Sequence, residues 1–124
     1  TTSMSSQFTI DKMTGPKQGF LKKKGKGSSV FGRKTWKKRF FVLEGPQLSY
    51  YENQYVLENG LSPLGVVLLS STCTIEEYME EEQSDKRIWT FRIITPERTL
   101  YLSAGSQLER QLWLDELRAH KMKV

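Results

Sequence analysis

Nine Lys or Arg residues fall between Lys22 and Arg39, spaced to suit a dense, multiply charged anion. The segment runs Lys22-Lys23-Lys24, then a polar loop with Gly25, Gly27 and Gly32, then Thr35-Trp36-Lys37-Lys38-Arg39-Phe40-Phe41-Val42-Leu43. Two alternating segments around a glycine-rich reversal make a hairpin, in which residues two apart share a face. Lys37 and Arg39 then point one way, while Trp36, Lys38 and Phe40 point the other, Trp36 and Phe40 toward the core. Lys23, near the end of the first strand, converges on the same mouth. Several fixed cations around one opening grip adjacent phosphates, because charge-assisted hydrogen bonds are about twice as strong as neutral ones. Arg39 adds a bidentate fork. A solvated face is the plainer reading of a lysine run, and the convergent spacing weighs against it.

Other chemistries fail on inspection. Gly27 to Thr35 is one residue off a P-loop, and a strand rather than a helix follows, so the helix-dipole mechanism is missing. Gly25-Lys26-Gly27 lacks the third glycine of a dinucleotide fingerprint, since Val30 stands there. His120 is the only histidine, and no serine sits in a nucleophile elbow. One cysteine and one histidine make no metal cluster, and the acidic group around Glu80 reads as a solvated turn. No catalytic residue, metal site or cofactor is expected. Single-stranded nucleic acid on the basic, aromatic face would need exposed stacking platforms. With Trp36 and Phe40 turned to the core, no nucleic-acid partner is expected.

These residues need a frame of short strands. Alternation bounded by turn residues recurs along the chain, an all-β signature. Strands are expected at Gly19 to Lys24, Thr35 to Glu44, Leu48 to Glu52, Leu64 to Ser70 and Cys73 to Tyr78. Arg87 to Ile94 and Thr99 to Ser103 form a last hairpin around Thr95-Pro96-Glu97-Arg98. Gly45-Pro46-Gln47 is a turn, and Asn53 to Pro63 a polar loop. Glu76, Glu77, Glu80, Glu81 and Glu82 read as an acidic turn that no core could hold. After Gly105 the period becomes helical. Ser106 is a candidate N-cap, with Glu109 completing a capping box. Trp113, Leu114 and Leu117 build the apolar face, and Arg118, His120, Lys121 and Lys123 favour the helix C-terminus. Seven strands then one amphipathic helix imply a small barrel whose open end receives Trp113.

At 124 residues the chain is one domain long enough for its own core. Residues 1–16 read as a flexible leader and 17–124 as the folded domain, and the whole reads as a piece of a larger protein. The longest apolar run, Val66-Val67-Leu68-Leu69, is far too short to span a bilayer. A lone Cys73 favours a reducing, cytoplasmic compartment. The net charge of +5 conceals a polarised molecule: residues 1–52 carry eleven basic against three acidic residues, residues 53–124 eight against eleven. Such polarity orients a protein toward an anionic surface.

The stretch from Gly19 to about Lys121 resembles a pleckstrin homology (PH) domain. The resemblance rests on Gly19-Phe20-Leu21-Lys22-Lys23, on Thr35 to Leu43, on Leu48-Ser49-Tyr50-Tyr51, and on the final helix carrying Trp113. It implies an all-β fold with one C-terminal helix: a seven-stranded, strongly bent antiparallel sandwich or partly open barrel capped by that amphipathic helix. It also implies that Lys23, Lys37 and Arg39 hold an inositol phosphate headgroup, with the Tyr50 hydroxyl assisting. Arg33 and Lys34 in the first loop are within reach of phosphate. Lys24, Lys26, Val30 and Phe31 are placed to touch the membrane; for Val30 and Phe31 a local cluster under the loop is an equal alternative. The ligand would be a polyphosphorylated inositide such as phosphatidylinositol 3,4,5-trisphosphate or 4,5-bisphosphate, recruiting a cytoplasmic signalling protein to the plasma membrane. Many members selective for 3-phosphorylated lipids have a basic residue just before the glycine opening strand four, where this chain has Leu64. The competing class is a protein-interaction module of the same fold, with a vestigial pocket and partners of the parent protein docking on strands five to seven or on the helix.

Overall fold

The computed structural model of the chain describes residues 17–25, 36–79 and 89–124. Seven strands precede a long helix: β1 (Lys17–Lys24), β2 (Trp36–Glu44), β3 (Gln47–Tyr51), β4 (Gly65–Leu68), β5 (Thr74–Glu77), β6 (Thr90–Ile94) and β7 (Thr99–Ser103). A short helix α1 (Gln54–Glu58) lies between β3 and β4, and α2 (Gln107–His120) closes the chain. The strands form one antiparallel sheet in the order β4-β3-β2-β1-β7-β6-β5, so β4 and β5 are its edges and the sheet is not closed. This is the expected architecture, a bent sheet with a C-terminal helix.

Local chemistry explains the pairing. Glu44 lies opposite Gln47 across a two-residue turn, and Gly45 takes φ +57° at its first position. Only glycine adopts that geometry cheaply, and the primed turns that match strand twist require it. β1 pairs with β2 over eight residues, from Lys17↔Leu43 to Lys24↔Trp36, but with β7 over only two, Lys22↔Ser103 and Lys23↔Leu102. Two runs of adjacent strands, β1 to β4 and β5 to β7, therefore meet at a narrow seam.

The helix α2 bridges that seam from below. Ser106 Oγ accepts from Glu109 N at 3.1 Å, and Glu109 Oε2 accepts from Gly105 N at 3.2 Å, so the expected cap forms, its return bond falling one residue earlier than in a standard box. Trp113, Leu114 and Leu117 are buried in the core with Leu21, Phe41, Leu43, Leu48, Phe91, Ile93 and Leu102 among others. The Trp113 ring passes under Gly19, where an added Cβ would sit 3.6 Å from it, an ordinary contact. Arg110 binds Glu77 of β5 at 3.1 Å and the Thr90 carbonyl at 3.3 Å. Arg118, in the last turn of the helix as expected, donates twice to the Ile75 carbonyl of β5, at 3.0 and 3.2 Å.

Several expectations change. The Asn53–Pro63 segment is not simply a loop, because Asn53 Oδ1 accepts from Val56 N at 3.0 Å and starts α1. Glu76 and Glu77 belong to β5, where cross-strand Arg92 holds Glu76 at 3.0 Å; Glu80, Glu81 and Glu82 lie outside the described residues. The core-facing set of β2 is also reversed. Phe41 and Leu43, in phase with Lys37 and Arg39, enter the main core. Phe40 is buried on the opposite face, edge-on to Phe20 at 4.9 Å, and the Lys38 ammonium stands over the Phe20 ring at 4.4 Å. Trp36 shares that outer face and is half-buried. No helix among the described residues is long and apolar enough to cross a membrane.

Candidate functional site

The inner face of β2 changes character along its length. Leu43 and Phe41 fill the core, and the next two residues of that face, Arg39 and Lys37, emerge where the sheet opens. Leu21 stands opposite Arg39, and Lys23 opposite Lys37. Two ammonium groups are thus set side by side on paired strands, an arrangement that costs stability unless an anion joins them. Here the connection from β3 to β4 also arrives, and the β6–β7 turn faces it across the opening.

Lys23, Gly25, Lys37, Arg39, Tyr50 and Leu64 line a cavity of about 180 Å³, with no acidic residue among the described residues of its wall. A neighbouring cavity of about 160 Å³ shares Lys23 and Gly25 and is otherwise lined by Lys24, Arg98, Thr99, Leu100 and Tyr101. The four principal expected residues, Lys23, Lys37, Arg39 and Tyr50, are therefore together. Lys24 lies across β1 from them, its Nζ 5.7 Å from the Trp36 ring centre and 5.4 Å from that of Tyr101. Lys26, Val30, Phe31, Arg33 and Lys34 lie outside the described residues.

Tyr50 is the pivot. Its ring is buried against Phe41 at 5.4 Å, and Lys23 Nζ stands 5.0 Å from its centre. Arg98 donates through Nη1 to the Tyr50 hydroxyl at 3.2 Å and through Nη2 to the Val66 carbonyl at 3.4 Å. Two cations thus stand close to the Tyr50 ring, Lys23 at 5.0 Å and Arg98 at 5.7 Å, and the residue forms part of the cavity wall. Gly65, opposite Tyr50 in the β3–β4 ladder, makes this possible: a Cβ there would sit 2.3 Å from the Tyr50 hydroxyl. Arg98, in the expected β6–β7 turn, joins the candidate site without any sign in the sequence: 48 residues separate it from Tyr50, and periodicity carries no signal for such a contact.

Chemically the site offers three cationic side chains and a hydroxyl around one opening, with Arg98 as a further guanidinium behind it. It can hold clustered phosphates. Among the described residues, no group of three or more His, Cys, Asp or Glu could hold a metal ion.

The family model for the PH domain matches residues 16–122. The chain is 36% identical over 100 residues to a RAC family serine/threonine-protein kinase homolog of Dictyostelium discoideum, covering 81% of this chain and 20% of the kinase. It is 34% identical over 101 residues to Ras GTPase-activating protein 3 of Bos taurus, covering 82% of this chain and 11% of that protein. It thus spans a fifth or less of these curated relatives. Among solved structures, the C-terminal PH domain of pleckstrin in complex with D-myo-Ins(1,2,3,4,5)P5 superposes with a TM-score of 0.61 at 31% identity, covering 86% of this chain and 97% of that one.

Proposed function

Because this chain belongs to the PH domain family, we propose that it is the phosphoinositide-binding module of a larger signalling protein, holding that protein at a membrane. The observation that carries the reading is the meeting of Lys23, Lys37, Arg39 and Tyr50 around one cavity. Each phosphate on the inositol ring is a multivalent acceptor, and a guanidinium or ammonium bond to it is charge-assisted. The pleckstrin domain of the same fold was solved with an inositol pentakisphosphate, which supports this ligand class here. A polyphosphorylated inositide such as phosphatidylinositol 3,4,5-trisphosphate or 4,5-bisphosphate supplies both the headgroup and the membrane, here the cytoplasmic face of the plasma membrane. Leu64 forms part of the wall where a basic side chain would have added one more phosphate contact.

The test is Arg39→Ala, read by calorimetry with soluble inositol phosphates and by sedimentation with vesicles. Losing a charge-assisted donor costs about 1.5–3 kcal/mol, roughly a ten- to hundred-fold loss of affinity in both assays. Control vesicles carry phosphatidylserine to the same total charge and should bind markedly less. If Arg39→Ala changes neither measurement while the fold persists, the pocket is vestigial and the domain is a protein-interaction module.

A further inference from the structure

The β3–β4 connection leaves the sheet at Tyr51 and re-enters at Gly65, at the same end as Lys23, Lys37 and Arg39. It is built to hold its shape. Asn53 caps α1, the Asn59 and Gly60 amides bond back to the Tyr55 and Leu57 carbonyls, and Gly60 turns the chain at φ +68°. The Leu61 amide then bonds the Val56 carbonyl at 3.0 Å, and the Leu64 amide bonds the Tyr50 carbonyl at 2.8 Å. On this fixed backbone three large side chains face solvent: Tyr55 is 67% exposed, Leu61 55% and Leu64 55%. A rigid connection that displays leucines without burying them costs solubility and gains no core.

Leu64 decides what covers them, because it is also part of the wall of the cationic cavity. A lipid whose headgroup fills that cavity brings the bilayer interface down on Leu64 and on the neighbouring Leu61. We infer that Tyr55, Leu61 and Leu64 form an apolar membrane contact beside the headgroup site, seated at the level where headgroups give way to acyl chains. The inference rests on the headgroup reading above. Tyrosine suits that level, with an apolar ring and a hydroxyl that stays wet. Residues 52–64 contain Glu52 and Glu58 and no basic residue, so this contact is not electrostatic. The connection therefore supplies apolar adhesion, while the cavity supplies charge recognition.

The experiment compares two variants of the same chain. Tyr55→Ser/Leu61→Ser removes the contact without touching a cavity residue. Leu68→Ser removes a leucine of matching exposure, 53%, at the far end of β4, opposite Gln47. Binding is measured to phosphatidylcholine vesicles holding a few mole per cent of phosphatidylinositol 3,4,5-trisphosphate or 4,5-bisphosphate, and separately to soluble inositol hexakisphosphate. The double variant should lose about tenfold in vesicle affinity, bind the soluble probe like the parent, and keep the same fold difference as salt is raised. Leu68→Ser should match the parent in both. The inference is overturned if the double variant binds vesicles like the parent, which would give the surface to a protein partner. It is also overturned if Leu68→Ser weakens vesicle binding equally, or if the soluble probe is lost along with the vesicles. A parent that binds no inositide at all brings down the headgroup reading itself, a different and recognisable result.

Discussion

Replacing Gly65 with alanine should dismantle the candidate site from a position that touches no ligand. The added Cβ would lie 2.3 Å from the Tyr50 hydroxyl, 2.5 Å from Cζ and 2.7 Å from Cε1, where ordinary contacts begin near 3.4 Å. The phenol must therefore retreat by roughly 1 Å. It has little room, with Phe41 on one side and the Arg98 bond holding its oxygen. Overpacking of this kind costs about 1–3 kcal/mol, and the strained Tyr50–Arg98 hydrogen bond adds about 1 kcal/mol. We expect the midpoint of a thermal melt to fall by roughly 5–15 °C, with several-fold weaker binding of a soluble inositol phosphate. Tyr50→Phe should not relieve the strain, because Cζ remains. In a Tyr50→Ala background the same Gly65→Ala change should cost less than about 0.5 kcal/mol, since its collision partner is gone. Equal costs in the two backgrounds, or a Gly65→Ala domain that melts and binds like its parent, would refute the placement of Tyr50.

Two further outcomes are expected. Trp113→Ala should cost about 3–5 kcal/mol while Lys37→Ala costs close to nothing; thermal melts that fall equally would show Lys37 to be structural. Burial pushes the Cys73 thiol above its ordinary 9.0, with Lys121 offsetting part of the rise. The unfolded thiol ionises first, so its contribution to stability is complete below about pH 9 and is lost as pH climbs through the folded value. The denaturant midpoint of the parent should thus drop more steeply than that of Cys73→Ala as pH rises above about 9, and parallel curves would refute it.

Much of this fold was legible because its signals are local. Ser106 and Glu109 announce α2, Gly45-Pro46 announces the tightest turn, and alternation marks the strands to within a few residues. What alternation cannot give is which of two apolar sets faces inward. In β2 both sets contain phenylalanine, and only Phe20, on the neighbouring strand, explains why Phe40 is buried away from the main core. The helix α1 escaped because five residues are too few for a helical period to show. Lys23, Lys37 and Arg39 were readable since two paired strands fix their convergence. Arg98 was not, because its partner is chosen by the bend of the whole sheet.

The narrow seam between β1 and β7 has a consequence for how the site comes into being. Most strand pairs here join neighbours in sequence and close short loops, whereas Lys22↔Ser103 and Lys23↔Leu102 join residues some 80 positions apart. The entropy of closing a loop rises with its length, so this joint gives the least hydrogen bonding for the greatest loss of chain freedom. Lys23 sits in that joint, and Arg98 reaches Tyr50 across the opening above it. Strands β1 to β4 alone would carry three of the cations but not the guanidinium that positions the phenol. A complete constellation of Lys23, Lys37, Arg39, Tyr50 and Arg98 therefore exists only on a fully assembled chain, and an unfinished or half-open molecule lacks it.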